Sequence, residues 1–169
     1  STTATVTVSQ EAASVELSDT VLSFTSLGDT TQLAATVKDA AGTVMAGATV
    51  TWAATGGAAT VSSAGLVTSV ATGTATITAT SGSARATATV TVSQAAASVT
   101  LSPTSLSFVS LGDTATFVSI VKDARGSKIW GATVTWATSD ATVATVSSTG
   151  LVTSTGLVTS VATDTATIT

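Results

Sequence analysis

Thr74-Ala75-Thr76-Ile77-Thr78-Ala79 alternates without a break between hydroxyl-bearing and apolar side chains. Successive side chains of an extended chain point to opposite faces, so Ala75, Ile77 and Ala79 share one face and the threonines the other. Such a segment is a half-buried β-strand. The same period of two sets Leu33, Ala35 and Val37 inward, then Ala48, Val50 and Trp52, then Ala86, Ala88, Val90 and Val92. Threonine supplies most of the outward positions, and its β-branch suits a pleated surface.

Turn signals separate these segments. Asp39-Ala40-Ala41-Gly42 and Asp123-Ala124-Arg125-Gly126 place Asp where it starts a turn and Gly where positive φ is cheap. Further breaks fall at Gly56-Gly57, Ala64-Gly65 and Ser81-Gly82-Ser83. No stretch longer than a turn shows the 3.6-residue periodicity of a helix, so the chain reads as all-β, a sandwich of antiparallel sheets.

The pattern occurs twice. Leu27-Gly28-Asp29-Thr30 returns as Leu111-Gly112-Asp113-Thr114, an offset of 84 residues that also carries Lys38-Asp39-Ala40 onto Lys122-Asp123-Ala124 and Ala48 to Trp52 onto Ala132 to Trp136. A period of this length marks tandem domains. Thr3-Ala4-Thr5-Val6-Thr7-Val8 is identical to Thr87-Ala88-Thr89-Val90-Thr91-Val92, which ends a repeat. The expected organisation is therefore a surplus strand at 1–9, one domain at 10–94 and a second at 95–169 that lacks its last strand.

Composition narrows the chemistry. The 169 residues include five Lys and Arg against nine Asp and Glu, a net charge of −4, which offers no basic surface to nucleic acid. Cysteine and histidine are absent, which removes disulfides, thiolates, imidazole ligands and the commonest general base. Serine and threonine exceed a third of the chain, yet a single proline and a mean hydropathy of +0.56 argue against a mucin-like stalk. No apolar run is long enough to span a membrane, and no signal peptide precedes the first strand-like segment. No acidic pair has the spacing of an acid/base couple or a calcium loop, and no motif sets a lysine beside a hydroxyl nucleophile. Neither enzyme activity nor a cofactor or metal is expected.

The sequence resembles the group 2 bacterial immunoglobulin-like domain, twice over. The resemblance is carried by Ser14 to Ser18, Leu27 to Thr30, Ala35 to Gly42, Val50 to Trp52, Ala59 to Thr78 and Thr87 to Val92. It implies two tandem Ig-like Greek-key β-sandwiches with Trp52 and Trp136 in their cores. It also implies an extracellular setting, as in surface adhesins, surface-layer proteins and phage structural proteins, and no catalytic residues.

The second copy departs from the first in three places. Asp164 stands where Gly73 stood, and Ser148 to Thr153 is followed at once by the same six residues, Ser154 to Thr159, as an extended strand or an added loop. Ile129 and Trp130 replace Met45 and Ala46. A large aromatic in an alanine's place either anchors an interface or covers the end of its own sandwich.

These features lead to a functional expectation. A sandwich without its final strand exposes an apolar groove and a row of unpaired backbone groups, which invites a strand from another chain. Residues Thr3, Ala4, Thr5, Val6, Thr7 and Val8 are the candidate donor strand, with Trp130 and Ile129 as a second candidate interface. The partner is then another copy of the chain, and head-to-tail donation builds a filament or stalk outside the cell. Two alternatives stand beside it: an adhesin segment that binds a cell-surface protein or glycan, and one unit of a longer surface or phage structural protein.

Overall fold

The computed structural model describes residues 3–7 and 9–154. Among them all regular structure is β, and the chain divides into two compact units, Ser1–Ala95 and Ala96–Thr169.

Unit 1 contains β1 (Ser14–Leu17), β2 (Val21–Phe24), β3 (Thr30–Gln32), β4 (Ala35–Lys38), β5 (Thr51–Thr55), β6 (Ala59–Val61), β7 (Leu66–Ser69), β8 (Gly73–Ser81) and β9 (Ala84–Val92). The alternating stretch that opens the sequence reading is the middle of β8. Gly82-Ser83 turns β8 back onto β9, with Gly82 at φ 57° as the first central residue of a type II′ loop requires. This hairpin fills the centre of a four-stranded sheet ordered β2-β9-β8-β5. A second sheet, β3-β7-β6, faces it, and β1 pairs with β4.

The inward residues of both layers meet in one core: Leu22, Phe24, Leu33, Ala58, Ala59, Val67, Ala75, Ile77, Ala88, Val90 and Val92. Ala79 and Ala84, at the loop end of the hairpin, form a second cluster with Val15 of β1 and Val37 of β4. The even spacing predicted for Ala75, Ile77, Ala79, Ala88, Val90 and Val92 is thus their burial pattern.

One pairing departs from the antiparallel expectation. β2 runs parallel to β9, with Thr89 N donating to Thr20 O at 2.8 Å and Ser93 N to Phe24 O at 3.0 Å. The reason is that no hairpin separates β1 from β2. The chain breaks only at residues 18–20 and continues on the other sheet, leaving its antiparallel partner β4 for β9.

Unit 2 contains β10 (Ser98–Ser102), β11 (Thr114–Thr116), β12 (Val118–Lys122), β13 (Ala144–Val146) and β14 (Leu151–Ser154). They pair as β10-β12 and β11-β14-β13, repeating β1-β4 and β3-β7-β6. Phe117, Ala144 and Val152 form its core, with Leu101, Leu106, Phe108, Trp136 and Val146 packed against it. Asp164 and the second copy of the duplicated hexapeptide lie outside the described residues, apart from Ser154.

Trp52 and Trp136 are half-buried at the margins of the cores rather than enclosed by them. Each leans on a glycine. A Cβ on Gly65 would stand 2.9 Å from Trp52 Cζ2 and 2.5 Å from the Leu33 carbonyl oxygen, and one on Gly150 would stand 2.9 Å from Trp136 Cζ2. Both glycines have φ above +80°, so shape and backbone conformation together require glycine.

Asp39 organises the turn after β4. Its Oδ1 accepts from Ala41 N at 3.0 Å and Thr43 N at 2.8 Å, while Gln10 Nε2 donates to its Oδ2 at 2.9 Å. The bonds from the Thr43 amide and then from Gln10 hold this carboxyl below its ordinary value of 3.8.

Two outcomes are expected. Gly42 has φ +82° with open space around it, so Gly42→Ala isolates backbone strain, whereas Gly65→Ala adds the clash. Urea denaturation should show a loss of about 1 kcal/mol for the first and about 3 kcal/mol for the second; equal losses would remove the packing argument. A carboxyl with a depressed folded pKa stabilises above its unfolded value, and that contribution fades as pH falls through the folded one. Asp39→Ala should therefore be less stable than the parent at neutral pH, with the gap closing as the pH drops below 3.8; a gap independent of pH would contradict the assignment.

Candidate interface

Residues 3–7 lie outside every strand and are exposed, with Val6 at 85%. Val8, the last of the candidate donor residues, lies outside the described residues. The identical sequence Thr87–Val92 occupies the opposite environment. It belongs to β9, with β8 on one side and β2 on the other, and its Ala88, Val90 and Val92 are no more than 2% exposed. One hexapeptide sequence thus stands both as a central strand and, through Thr3, Ala4, Thr5, Val6 and Thr7, in solvent.

Unit 2 differs from unit 1 on either side of the central hairpin's position. Residues 105–108 correspond to β2 and residues 135–139 to β5, the two flanks of the central hairpin in unit 1. Neither is a strand in unit 2, where residues 105–108 have no regular structure and residues 135–139 hold one bridge position at Thr138. Val99, the counterpart of Val15, is 54% exposed against 8%. Ala79 and Ala84, which pack on Val15 in unit 1, have no counterparts among the described residues of unit 2.

The second candidate lies on the hairpin that follows β12. Asp123 is 2% exposed and its Oδ1 accepts from Arg125 N at 3.0 Å and Ser127 N at 2.9 Å, which fixes the turn. Ile129 N donates to Val121 O at 2.9 Å, and its side chain is half-buried in the place Met45 takes in unit 1. By the period of two, Trp130 then points away. It is 81% exposed, with Lys128 Nζ 3.9 Å from the ring centroid. The reading in which Trp130 covers the end of its own sandwich is corrected by this geometry, because Ile129 already fills the inward position.

The acids that recur between copies act on backbone. Asp29 Oδ2 accepts from Ser26 N at 3.1 Å, and Asp113 Oδ2 from Ser110 N at 3.0 Å. Glu16 pairs with Lys38 at 2.8 Å. Among the described residues no group of three His, Cys, Asp or Glu could hold a metal ion, and no helix is long and apolar enough to cross a membrane. Sequence reading singles out Trp130 and passes over the cations beside it, Lys122, Arg125 and Lys128. A position-by-position comparison of the repeats contains that signal.

Comparison with known proteins gives a consistent classification. The profile of the bacterial Ig-like domain (group 1) matches residues 28–109, and that of the bacterial Ig-like domain (group 2) matches residues 95–169. No curated relative matches the chain. Among solved structures it is similar to the S-layer protein SbsC, with 25% identity and a TM-score of 0.42 over 95% of this chain and 26% of that one. It is also similar to the Escherichia coli adhesin FdeC, with 18% identity and a TM-score of 0.40 over 88% of this chain and 57% of that one. Human protocadherin-24 repeats EC1-2 align at 13% identity and a TM-score of 0.38, over 88% and 79% of the two chains. The chain spans about a quarter of the length of the S-layer structure.

The two tryptophans of unit 2 should separate cleanly on substitution. Trp136 stacks on Phe117 with centroids 6.2 Å apart, so Trp136→Ala is expected to cost about 3 kcal/mol. Trp130→Ala should stay within about 0.5 kcal/mol of the parent. Denaturation followed by circular dichroism measures both, and a large loss at Trp130 would mean that it covers a core after all.

Proposed function

Since the chain belongs to the bacterial immunoglobulin-like domains, we propose that it is a non-enzymatic structural module of an extracellular filament or stalk. Its copies join head to tail when residues 3–8 of one enter the second domain of the next. One observation carries this reading: a sequence that is a buried central strand as Thr87–Val92 is exposed and unpaired at residues 3–7.

The recipient is unit 2, between residues 105–108 and the neighbour that would correspond to β8. In that place Ala4, Val6 and Val8 take the inward positions of Ala88, Val90 and Val92, and the threonines face out. Burying a valine contributes about 1.5–3 kcal/mol and each strand hydrogen bond about 1 kcal/mol net. Ordering the donor segment offsets much of that. Donor and recipient surfaces differ, so each contact leaves one of each open at the ends, and the assembly grows as a line rather than closing.

The non-enzymatic part rests on chemistry. Without histidine or cysteine, hydrolysis or group transfer would fall to carboxylates and lysines, and those whose partners are known serve turns and a surface ion pair. The extracellular part follows the family resemblance.

Sedimentation velocity and negative-stain imaging of the full chain test the proposal. Concentration-dependent linear particles are expected for the parent, shortened by a synthetic peptide of residues 3–10. Val6→Asp, at a position 85% exposed, should fold normally and remain monomeric. A parent that stays monomeric at high concentration, or a Val6→Asp chain that polymerises like the parent, overturns strand donation.

A further inference from the structure

One hairpin changes its surface chemistry between the two repeats. Residues 38–46 read Lys-Asp-Ala-Ala-Gly-Thr-Val-Met-Ala, and residues 122–130 read Lys-Asp-Ala-Arg-Gly-Ser-Lys-Ile-Trp. The scaffold is shared: Gly42 and Gly126 have φ of 82° and 83°, and Met45 N and Ile129 N donate to Val37 O and Val121 O, each at 2.9 Å. Thr43 to Ser127 and, at the inward position, Met45 to Ile129 are conservative replacements, whereas three outward side chains change in character. Ala41 becomes Arg125, Val44 becomes Lys128 and Ala46 becomes Trp130. Glu16, which neutralises Lys38 at 2.8 Å, has Thr100 as its counterpart.

The changes at residues 125, 128, 130 and 100 each add positive charge, remove negative charge or expose an aromatic. The three cations of residues 96–169 are Lys122, Arg125 and Lys128, all on these nine residues, in a chain whose net charge is −4. The hairpin's single acid, Asp123, is 2% exposed and turned onto backbone amides. Trp130 is 81% exposed, and Lys128 Nζ stands 3.9 Å from its ring centroid, so an ammonium group is held against an accessible indole.

We propose that this hairpin is a binding site for a carboxylated polysaccharide. The indole offers a flat apolar surface for the C–H face of a sugar ring. Arg125 and Lys128 supply charge-assisted hydrogen bonds to the uronate carboxylates. An exposed aromatic beside cations is what separates such a ligand from other polyanions. Duplex DNA, with one charge per ~1.7 Å, rewards a long basic surface. A uronate chain offers a sugar ring and a carboxylate in each residue, which suits an indole with a cation 3.9 Å from its centroid. The site is independent of how copies of the chain assemble, because none of its residues belongs to segment 3–8.

Binding of the full chain to polygalacturonate at low ionic strength, with neutral dextran, phosphatidylserine vesicles and duplex DNA alongside, tests the site. The decisive variant combines Arg125→Ala, Lys128→Val and Trp130→Ala, which rebuilds the unit 1 side chains on a backbone that already carries them in unit 1. Polygalacturonate should bind the parent in a salt-sensitive way, dextran should not, and the triple variant should bind at least tenfold more weakly. Trp130→Ala alone should weaken binding and leave its salt dependence unchanged, since it removes the stacking surface and no charge. Failure of polygalacturonate to bind, undiminished binding by the triple variant, or tighter binding to the vesicles or DNA than to polygalacturonate would overturn the proposal.

Discussion

The pairing of β8 with β9 is the constraint on which the rest of unit 1 depends. Its two nine-residue strands run in register from Gly73↔Val92 to Ser81↔Ala84. The hairpin contributes Ala75, Ile77, Ala88, Val90 and Val92 to one core, and Ala79 and Ala84 to the other. Among the described residues it is also the sole sheet partner of β2 and β5. Unit 2 serves as an internal comparison. The strands present there are the counterparts of β1, β3, β4, β6 and β7, none of which pairs with β8 or β9. The counterparts of β2 and β5 are not strands. The outer strands find their partners among themselves, whereas β2 and β5 pair, among the described residues, with the central hairpin alone, and a lone edge strand gains too little to offset its ordering.

Much of this was legible in the sequence where burial follows a period of two. The alternation in Thr74 to Ala79 gave its strand, its inner face and its place in the core, since geometry alone links spacing to side. The parallel run of β2 beside β9 was not legible. Alternation is the same in either direction, and the direction is set by a break at residues 18–20 that moves the chain from one sheet to the other. Nor did the tryptophans follow from hydrophobicity. Trp52 and Trp136 stop at the core margin because each lies on a positive-φ glycine, a contact between residues far apart in sequence. The outward orientation of Trp130 was implicit in the inward orientation of Ile129.

The candidate site was legible in part for a related reason. Identity between residues 3–8 and 87–92 is a property of the string, but exposure of the first and burial of the second are properties of the fold. The charged hairpin needs both copies to be visible. Lys122 looks like a repeat of Lys38 until Glu16 is seen to pair with Lys38 and to have become Thr100.

Identity of the two hexapeptides also limits how strand exchange can be selective. Side chains cannot discriminate between residues 3–8 and 87–92, because both present Ala, Val and Val inward and threonine outward. From Thr87–Val92 the core of unit 1 receives one alanine and two valines, so the strand adds little apolar area and backbone pairing carries much of its contact. Selection must then come from connectivity. In unit 1, β9 is tethered to β8 by Gly82-Ser83, and so short a link gives it a high effective concentration beside its partner. A free segment of the same sequence has no enthalpic advantage with which to displace it. On the proposed strand donation, unit 1 offers residues 3–8 no opening, because its β9 already lies between β8 and β2.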